Sequence, residues 1–392
     1  MSEVIIAGIG ATPVGEHWEL SLDNLAAQAM LAAMRDAGVM RPQALYVGNL
    51  LASSISEQAN LGARLAENAG LTGIETFTVE AGEASGAAAL RMGYLAVKSG
   101  LVESALVLGI EKYTDMVGPE VDAILAHAAD SDFESTEGLT PNGLAALLMQ
   151  RYMEQYNAPH DAFATLPLLA HANAVHNPLA MYRKAVDLAA YQRAALVTPP
   201  LNLFDVAPYA DGAAAALLVS DAVLFRSRQK NPVRVAASSA AIDALALHDR
   251  PDPLAFEAAA LSLRQALQNA EMGWEDMDLF ELWDATSIYG LLALEAGGFA
   301  ARGHGWRWLQ ESDLSPHSKL PLLTMGGNKA RGFPISAAGV YQAVEAVQQL
   351  RGQAGGNQVP DARTAIIQAL GGPASTAITH ILTTRQTEVD KT

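Results

Sequence analysis

The chain has 392 residues, of which 50% are apolar, so it can bury a large core in one two-part domain or in two packed domains. Acidic residues outnumber basic residues by 42 to 25, and the formal charge of -17 argues against a surface that binds nucleic acid or anionic membranes. The sequence contains no cysteine, which excludes disulfides, thiolate metal sites and a cysteine nucleophile. No leader segment and no apolar run of membrane-spanning length are recognisable, so we expect a cytoplasmic protein.

The first half alternates strands and helices. A strand is predicted at Val4–Ile9 and a helix at Leu22–Ala37, with Ser21 placed to cap the helix and Gly38 to end it. The other predicted elements are strands at Leu45–Val47, Thr76–Val79 and SALVLGIE (104–111), and helices in QANLGARLAENAG (58–70) and at Ala84–Ser99. The first turns of that last helix contain only Ala, Ser and Gly, so we expect it to be buried between two layers.

The second half repeats this order of elements. Strands are predicted in VRVAASSAA (233–241), DLFELWDA (278–285), TAIIQAL (364–370) and STAITHIL (375–382), and helices at Leu254–Met272, SIYGLLALEAG (287–297) and AAGVYQAVEAVQQLRG (337–352). Two such halves predict two α/β units that share a core, at residues 1–225 and 226–392. The region 114–208 has little strand signal, and we interpret it as an insertion that serves as a lid or binding loop.

Six segments in order resemble one known family. They are AGIGATPVG (7–15), EASGAAALRMGYLAVKSG (83–100), HANAVHNPLAMYRK (171–184), APYADGAAAALLVS (207–220), LPLLTMGGNKARGFPISAAG (320–339) and QALGGPASTAITHIL (368–382). Nearly the whole chain thereby resembles thiolases of the sterol-carrier-protein and archaeal acetyl-CoA acetyltransferase type. The resemblance implies an α/β thiolase-like fold with two βαβ-rich halves in αβαβα layers, usually as a tight homodimer, with CoA lying across the insertion.

The resemblance also assigns four catalytic positions, and each is substituted in this chain. The nucleophilic cysteine corresponds to Glu83, and the His or Asn of a strand-end motif corresponds to Trp283. The Gly-His-Pro histidine corresponds to Phe333, and a second cysteine, expected in the final Gly-rich turn, corresponds to Ala369. A glutamate is a poor acyl carrier, and the other three side chains transfer no proton. Ordinary thiolase turnover is therefore not expected.

The backbone part of the family's site is retained. Gly371 and Gly372 keep the turn that, in the family, forms an oxyanion hole together with the main-chain N–H of the residue at position 83. Pro373 departs from the usual Gly or Ser and removes one N–H donor. A thioester carbonyl could on this basis still be bound without being attacked.

Candidate contacts to CoA lie in the insertion. By resemblance these are His171, Asn173, Arg183 and Lys184, the last two as partners for the CoA phosphates, with a solvated basic pair as the equally open alternative. His171 and His176 are five residues apart, which does not place them on one helical face, and no carboxylate completes a ligand set. We therefore predict no metal site and no cofactor other than CoA or acyl-CoA as a ligand.

Three functions remain open from the sequence. The first is a degenerate homologue that binds acyl-CoA or serves as a scaffold or regulatory subunit in lipid metabolism. The second is a non-standard acyl-CoA enzyme, for acyl transfer, decarboxylation or C–C bond cleavage, with Glu83 as base. The third is an acyl-CoA or lipid carrier. Since thiolase-like proteins of this branch often associate with small OB-fold, zinc-ribbon proteins or with an active thiolase-like chain, the resemblance implies such a partner.

Two of the substituted positions can also be compared with those of thiolase-like enzymes that use tyrosines for catalysis. Some thiolase-like retro-aldolases of steroid breakdown lack the cysteine and use tyrosines at the positions of Trp283 and Phe333. Both of these rings lack a hydroxyl, so that chemistry does not transfer to this chain. Tyr289 follows in the next predicted helix and is interpreted as a packing residue.

Overall fold

The computed structural model describes residues 2–38, 40–227, 229 and 231–385, so the last seven residues of the predicted second half lie outside the described residues. The strands are β1 (Val4–Ala11), β2 (Ala44–Gly48), β3 (Glu75–Val79), β4 (Ser104–Glu111), β5 (Leu196–Thr198), β6 (Leu201–Asn202), β7 (Gly212–Ser220), β8 (Val233–Ile242), β9 (Leu279–Glu281), β10 (Thr364–Gly371) and β11 (Thr376–Thr383). The α-helices are α1 (Leu22–Asp36), α2 (Ala52–Ile55), α3 (Leu61–Asn68), α4 (Ser85–Lys98), α5 (Gly118–Leu125), α6 (Pro141–Tyr156), α7 (Thr165–Ala174), α8 (Leu188–Arg193), α9 (Glu257–Ala270), α10 (Ser287–Ala296), α11 (Gly305–Glu311), α12 (Gly327–Arg331) and α13 (Ala338–Leu350).

Two halves with the same strand order form the main sheet. Within the described residues the order is β3-β2-β4-β7-β1-β8-β11-β10-β9. Going outward from the centre, the first half contributes β1, β7, β4 and β2, and the second half contributes β8, β11, β10 and β9. Among the strands of this sheet, each half thus follows the order first, last, last but one and second. The halves meet where Ile5 and Ile6 of β1 pair with β8. At the outer edge of the first half, β3 pairs with β2 as a parallel strand. At the corresponding edge of the second half, the described residues form only an isolated parallel bridge between Phe280 and Leu322. The predicted α/β fold with two related halves is confirmed.

Helices cover both outer faces of the sheet and fill a layer between its halves. α1 and α3 pack on the outer face of the first half, and α9 packs on the outer face of the second half. α4 and α13 contribute Leu90 and Val340 to the apolar layer between the halves. The small residues of α4 permit this close packing, because a Cβ on Gly86 would lie 2.1 Å from the carbonyl oxygen of Ser336.

Local sequence signals set most of the element limits. The Ser21 hydroxyl accepts a hydrogen bond of 3.2 Å from the N–H of Asn24, and Gly38 with φ of 96° follows the end of α1, as predicted. β4 is buried along its whole length, as its continuous apolar run predicts. The strand predicted in DLFELWDA is shorter than expected and ends at Glu281, so the residues after it leave the sheet. The strand β7 and the helices α11 and α12 were not predicted as elements.

The excursion between β4 and β7 contains α5 to α8 and the two-stranded ribbon of β5 and β6. It is held to the second half by buried polar contacts, such as the hydrogen bond of 2.5 Å from the Tyr152 hydroxyl to Glu295. α7 also packs against α12. Segments of this excursion form walls of the pockets described below. Within the described residues, no helix is both long enough and apolar enough to cross a membrane.

Candidate functional site

Three of the four substituted catalytic positions line one pocket. Glu83 lies just before α4, Phe333 lies shortly before α13, and Trp283 lies just beyond the end of β9. The two central helices and the second half of the sheet therefore bring together side chains that are up to 250 residues apart in the chain.

The fourth position lies elsewhere. Ala369 was expected in the Gly-rich turn, but the structure places it inside β10, where it pairs with Ile378 of β11. The ladder continues to Gly371 and Thr376, so the turn begins only after Gly371. Ala369 is buried in the apolar core and is not among the residues that line the pocket.

The carboxylate of Glu83 binds the backbone donors of the oxyanion turn. The N–H of Gly372 donates a hydrogen bond of 2.6 Å to Glu83 Oε2, and the backbone N–H of Glu83 also hydrogen-bonds its own carboxylate. These are the two N–H groups that the resemblance assigns to an oxyanion hole. The glutamate side chain therefore fills this hole, and a thioester carbonyl cannot bind there while the side chain stays in place.

Backbone segments approach each other closely at this point because glycines allow it. Gly82 has φ of 59°, and a Cβ on it would lie 2.9 Å from the nitrogen of Gly372. A Cβ on Gly371 would lie 2.2 Å from the carbonyl oxygen of Ala81. The Ser85 hydroxyl fixes the loop from the helix side, since it accepts from the N–H of Ala81 at 3.0 Å and donates to the oxygen of Gly82.

Burial controls the protonation of Glu83. The side chain is only 8% exposed, and loss of hydration raises the pKa of Glu83 from 4.5 to about 7, while the two backbone N–H groups lower it by less. The nearby charge of Glu80 adds to the rise in this pKa. Among the described residues, no Lys or Arg forms an ion pair with Glu83. A carboxyl group with this pKa exchanges protons readily near neutral pH.

Two aromatic rings occupy the positions of the family's proton-transferring and oxyanion-binding side chains. Trp283 and Phe333 are 2% and 7% exposed, and their ring centroids lie 5.5 Å apart with an interplanar angle of 79°. The backbone of Phe333 is fixed because its oxygen accepts from the Tyr113 hydroxyl at 2.6 Å and its N–H donates to Pro208 at 3.0 Å. This edge-to-face pair stabilises an apolar wall and supplies no acid or base.

Two phenols line the same pocket, and the sequence did not indicate either as part of a site. Tyr289 packs edge-to-face on Phe256, as a packing residue should, but its side chain also lines the pocket. Burial, followed by the charge of Glu83, raises the pKa of the Tyr289 phenol. The Tyr209 hydroxyl donates to Asp122, and burial and this hydrogen bond raise the pKa of the Tyr209 phenol. Both phenols therefore stay protonated at neutral pH.

Arg250 supports the oxyanion turn and was also missed from the sequence. This buried side chain donates from Nη1 to the oxygen of Pro373 at 2.8 Å and from Nε to the oxygen of Ala244 at 2.8 Å. The N–H of Asp243 donates to the oxygen of Ser375 at 2.8 Å, which ties the same two segments together. A lone arginine between ALALHD (244–249) and PDPLAF (251–256) carries no local pattern that would reveal this role.

A second pocket adjoins the first, and both are lined by Asn142, Val206, Ala207 and Tyr209. Its other walls include His171, Tyr182 and Lys329. Val197 and Leu203, from the β5–β6 region, line the second pocket and are exposed to solvent. These four residues therefore lie between the pocket that contains Glu83 and the pocket that borders the exposed part of the insertion.

The predicted CoA contacts differ in their placement. His171 lines the second pocket, and burial lowers the pKa of its imidazole. Arg183 and Lys184 are exposed and directly follow Tyr182 in the pocket wall. Asn173 lines neither pocket, because its amide donates to the carbonyl oxygens of Leu322 and Leu323, just before α12, at 3.2 and 2.9 Å. In the part of the chain that the structure describes, no cluster of three or more His, Asp or Glu could hold a metal ion.

A buried ion pair and two buried hydrogen bonds hold the segment that precedes Phe333. Arg331 Nη1 lies 2.7 Å from Glu345, and Lys329 Nζ donates to the carbonyl oxygen of Asp205 at 2.7 Å. The carboxylate of Asp284, next to Trp283, accepts a hydrogen bond of 2.6 Å from the N–H of Asn328 at the start of α12. Burial lowers the pKa of Lys329 to about 8. These contacts fix the α12 segment.

Comparison with known proteins agrees with this architecture. The chain matches the family models described as "Thiolase, N-terminal domain" over residues 4–222 and "Thiolase C-terminal domain-like" over residues 239–384. It is 37% identical over 383 residues to an acetyl-CoA acetyltransferase of Methanothermobacter thermautotrophicus, with 97% of this chain and 99% of the relative covered. It is 29% identical to "Benzoylsuccinyl-CoA thiolase subunit BbsB" of Thauera aromatica, with 94% and 95% covered.

A solved structure shows the same fold. The chain superposes on a protein described as "Ltp2-ChsH2(DUF35) aldolase" with a TM-score of 0.84 and 24% identity, and 97% of each chain is covered. Sterol carrier protein 2 of Bos taurus is 27% identical, over 96% of this chain and 72% of that protein. The sequence matches extend through both halves of the chain and include the glycine turn beside Glu83. The chain belongs to the thiolase family.

Proposed function

We propose that this chain is a cytoplasmic thiolase-family protein that binds an acyl-CoA without thiol chemistry and acts as a subunit of a thiolase-like complex. The observation that supports this proposal is the hydrogen bond of 2.6 Å between the Gly372 N–H and the Glu83 carboxylate. A thiolase needs a thiol at this position, an open oxyanion hole and a base beside it. Here a carboxylate fills the hole, and Phe333 stands in place of the base.

The two pockets support acyl-CoA as the ligand class. The first pocket is mainly apolar and suits an acyl chain, with Leu125, Leu144 and Val206 in its walls. The second pocket adjoins the first and borders the exposed insertion, so it is suitably placed for the pantetheine arm. Arg183 and Lys184 are exposed next to that pocket and suit the CoA phosphates.

Titration calorimetry with CoA, acetyl-CoA and longer acyl-CoAs tests this binding. We expect affinity to rise with chain length, because each buried methylene adds about 0.8 kcal/mol. Arg183→Ala combined with Lys184→Ala should weaken binding of every CoA species and reduce its salt dependence. Gln150→Ala, an exposed change on α6, is the matched control. Failure of the wild-type protein to bind any acyl-CoA would refute the proposal.

An apolar face supports assembly into a homodimer. Phe77 of the edge strand β3 is 57% exposed, and Met92 and Leu95 of the adjoining helix α4 are each 41% exposed. An edge strand with free N–H and C=O groups beside exposed apolar side chains is suited to pairing with a second copy. We expect Phe77→Asp to convert a dimer to a monomer in size-exclusion chromatography with light scattering. A wild-type monomer at micromolar concentration would contradict this part of the proposal.

A further subunit is suggested by related proteins. The Thauera relative is named a subunit, and the name of the structural neighbour joins Ltp2 to ChsH2(DUF35). We extend this to the present chain and propose a small OB-fold, zinc-ribbon protein as its partner, with an active thiolase-like chain as the alternative. Purification of the tagged chain from its native source, followed by mass spectrometry of the intact complex, tests this. Recovery of the chain only as a homodimer would count against it.

Glu83 also supports a second candidate function, C–C bond chemistry on an acyl-CoA with this carboxylate as base. The observation that favours it is the buried carboxyl group, whose pKa is raised to about 7, in a pocket shared with two phenols. Chromatographic detection of a carbonyl compound and a shorter acyl-CoA released from a β-hydroxyacyl-CoA tests this candidate, because a base that removes the hydroxyl proton allows the C–C bond to break into these two products. Glu83→Gln should abolish such activity, and unchanged activity in that variant would remove Glu83 from the mechanism.

A further inference from the structure

An acyl-CoA bound in these pockets needs a new hydrogen-bond donor for its thioester carbonyl. The usual backbone donors are already used, since the Gly372 N–H and the Glu83 N–H both hydrogen-bond the carboxylate of Glu83. A carbonyl oxygen buried without a partner costs roughly 1–3 kcal/mol. The inference below rests on the proposed function and concerns where this carbonyl binds.

The junction of the two pockets offers polar groups at the right place. Four residues line both pockets, and two of them, Val206 and Ala207, carry only apolar side chains. The other two are Asn142 and Tyr209. An acyl-CoA that occupies both pockets would contact these residues where the pockets adjoin.

Asn142 has a free donor. It is partly buried near the start of α6, and among the described residues its side-chain amide forms no hydrogen bond. The cap of this helix is satisfied by Thr140, whose hydroxyl accepts from the N–H of Gly143 at 3.1 Å. The positive end of the dipole of a 16-residue helix further favours a carbonyl oxygen at this point.

Tyr209 is held in one place and presents an acceptor. Its hydroxyl hydrogen is donated to Asp122, its backbone pairs with Phe333, and its ring packs edge-to-face on Tyr113 at 5.6 Å. Because the hydrogen is used by Asp122, the phenol oxygen offers lone pairs to a ligand N–H. The cysteamine part of pantetheine carries an amide N–H two carbons from the sulfur, within reach of the same junction.

We infer that Asn142 and Tyr209 form a carbonyl and amide receptor that replaces the oxyanion hole. The Asn142 amide donates to the thioester oxygen, and the Tyr209 oxygen accepts from the nearest pantetheine N–H. This arrangement leaves Glu83 in its hole and places the acyl chain beside it. Both residues bind the ligand and take no part in bond making.

Binding of octanoyl-CoA, octyl-CoA thioether and free CoA tests this receptor, because the thioether lacks only the carbonyl oxygen. For the wild-type protein we expect octanoyl-CoA to bind roughly tenfold more tightly than octyl-CoA. Asn142→Ala and Asn142→Asp should remove this difference, the latter with almost no change of shape. Tyr209→Phe should weaken all three ligands by a similar factor and keep the difference. Gln150→Ala on the same helix should change nothing.

The outcomes separate this inference from the proposed function. Equal affinity of the wild-type protein for octanoyl-CoA and octyl-CoA would overturn the receptor and leave acyl-CoA binding intact. A full preference for octanoyl-CoA in both Asn142 variants would also overturn it. If the wild-type protein binds none of the three ligands, the proposed function fails first and the receptor fails with it.

Discussion

Replacing Glu83 by Gln should make the protein more stable at alkaline pH, because the wild-type protein must bury a charge there. The pKa of Glu83 rises from 4.5 in the unfolded chain to about 7 in the folded protein. At 1.36 kcal/mol for each pH unit, this interval corresponds to about 3 kcal/mol. The folded state retains its proton at pH values where the unfolded state has lost it. The free energy of unfolding of the wild-type protein therefore falls as pH rises from 4.5 to about 7 and then levels off.

The Glu83→Gln variant isolates this contribution. Its neutral side-chain amide still offers an oxygen that accepts from the Gly372 N–H, so it resembles the protonated acid at every pH. Burial also raises the pKa values of Glu111 and Glu281, to about 7 and about 8, but these groups are present in both proteins and their contributions cancel.

Urea unfolding followed by tryptophan fluorescence at pH 5, 6, 7 and 8 measures the difference between the two proteins. We expect the advantage of the variant to grow by about 3 kcal/mol between the acidic and the alkaline limit. Glu67→Gln, at an exposed carboxylate of α3, measures the effect of removing one surface charge. A variant advantage that changes by less than ~1 kcal/mol over this range would refute the assignment of a buried, poorly solvated carboxylate.

Three further perturbations follow from the same contacts. Glu83→Ala should open the oxyanion hole, so that formate raises the melting temperature of the variant but not of the wild-type protein; at ten times its Kd the gain is about 1.4 kcal/mol. Gly82→Ala should cost about 2 kcal/mol more than Gly70→Ala in denaturant unfolding, because both glycines have positive φ but only a Cβ at 82 meets the backbone of the turn. Arg250→Met should cost about 1–3 kcal/mol and shift the pH midpoint of the Glu83 carboxyl band in infrared spectra, since the turn that donates to Glu83 loses its support. An Arg250 variant that lowers stability but leaves this midpoint unchanged would show that its role is confined to packing.

Elements with a strong local signal could be predicted from the sequence. Ser21 and Gly38 mark the limits of α1, and the small residues after Glu83 mark a helix that is buried between layers. The order of strands and helices also indicated two related halves. These features depend on neighbouring residues, so a single sequence contains the information.

The remaining features depend on contacts between distant segments. Nothing local indicates that the Glu83 side chain turns back onto Gly372, because this requires the approach of the β10–β11 turn to the loop before α4. Asn142 and Tyr209 come from different parts of the excursion between β4 and β7, and they line the same pockets only through its tertiary packing. Ala369 was misplaced because the Gly-rich sequence after it was taken to include it, whereas strand pairing extends to Gly371.

The substitutions at the catalytic positions form a consistent structure rather than independent losses. Removal of a cysteine alone would leave the buried N–H groups of residues 83 and 372 without an acceptor, which costs roughly 1–3 kcal/mol for each group. Glu83 satisfies both, at the cost of a carboxyl group that stays partly protonated at neutral pH. A histidine at position 333 would lie beside this acid, whereas Phe333 packs against Trp283 and keeps the wall apolar. Because the backbone donors are satisfied and the wall is packed, any ligand specificity of this pocket must come from side chains outside the family's catalytic set.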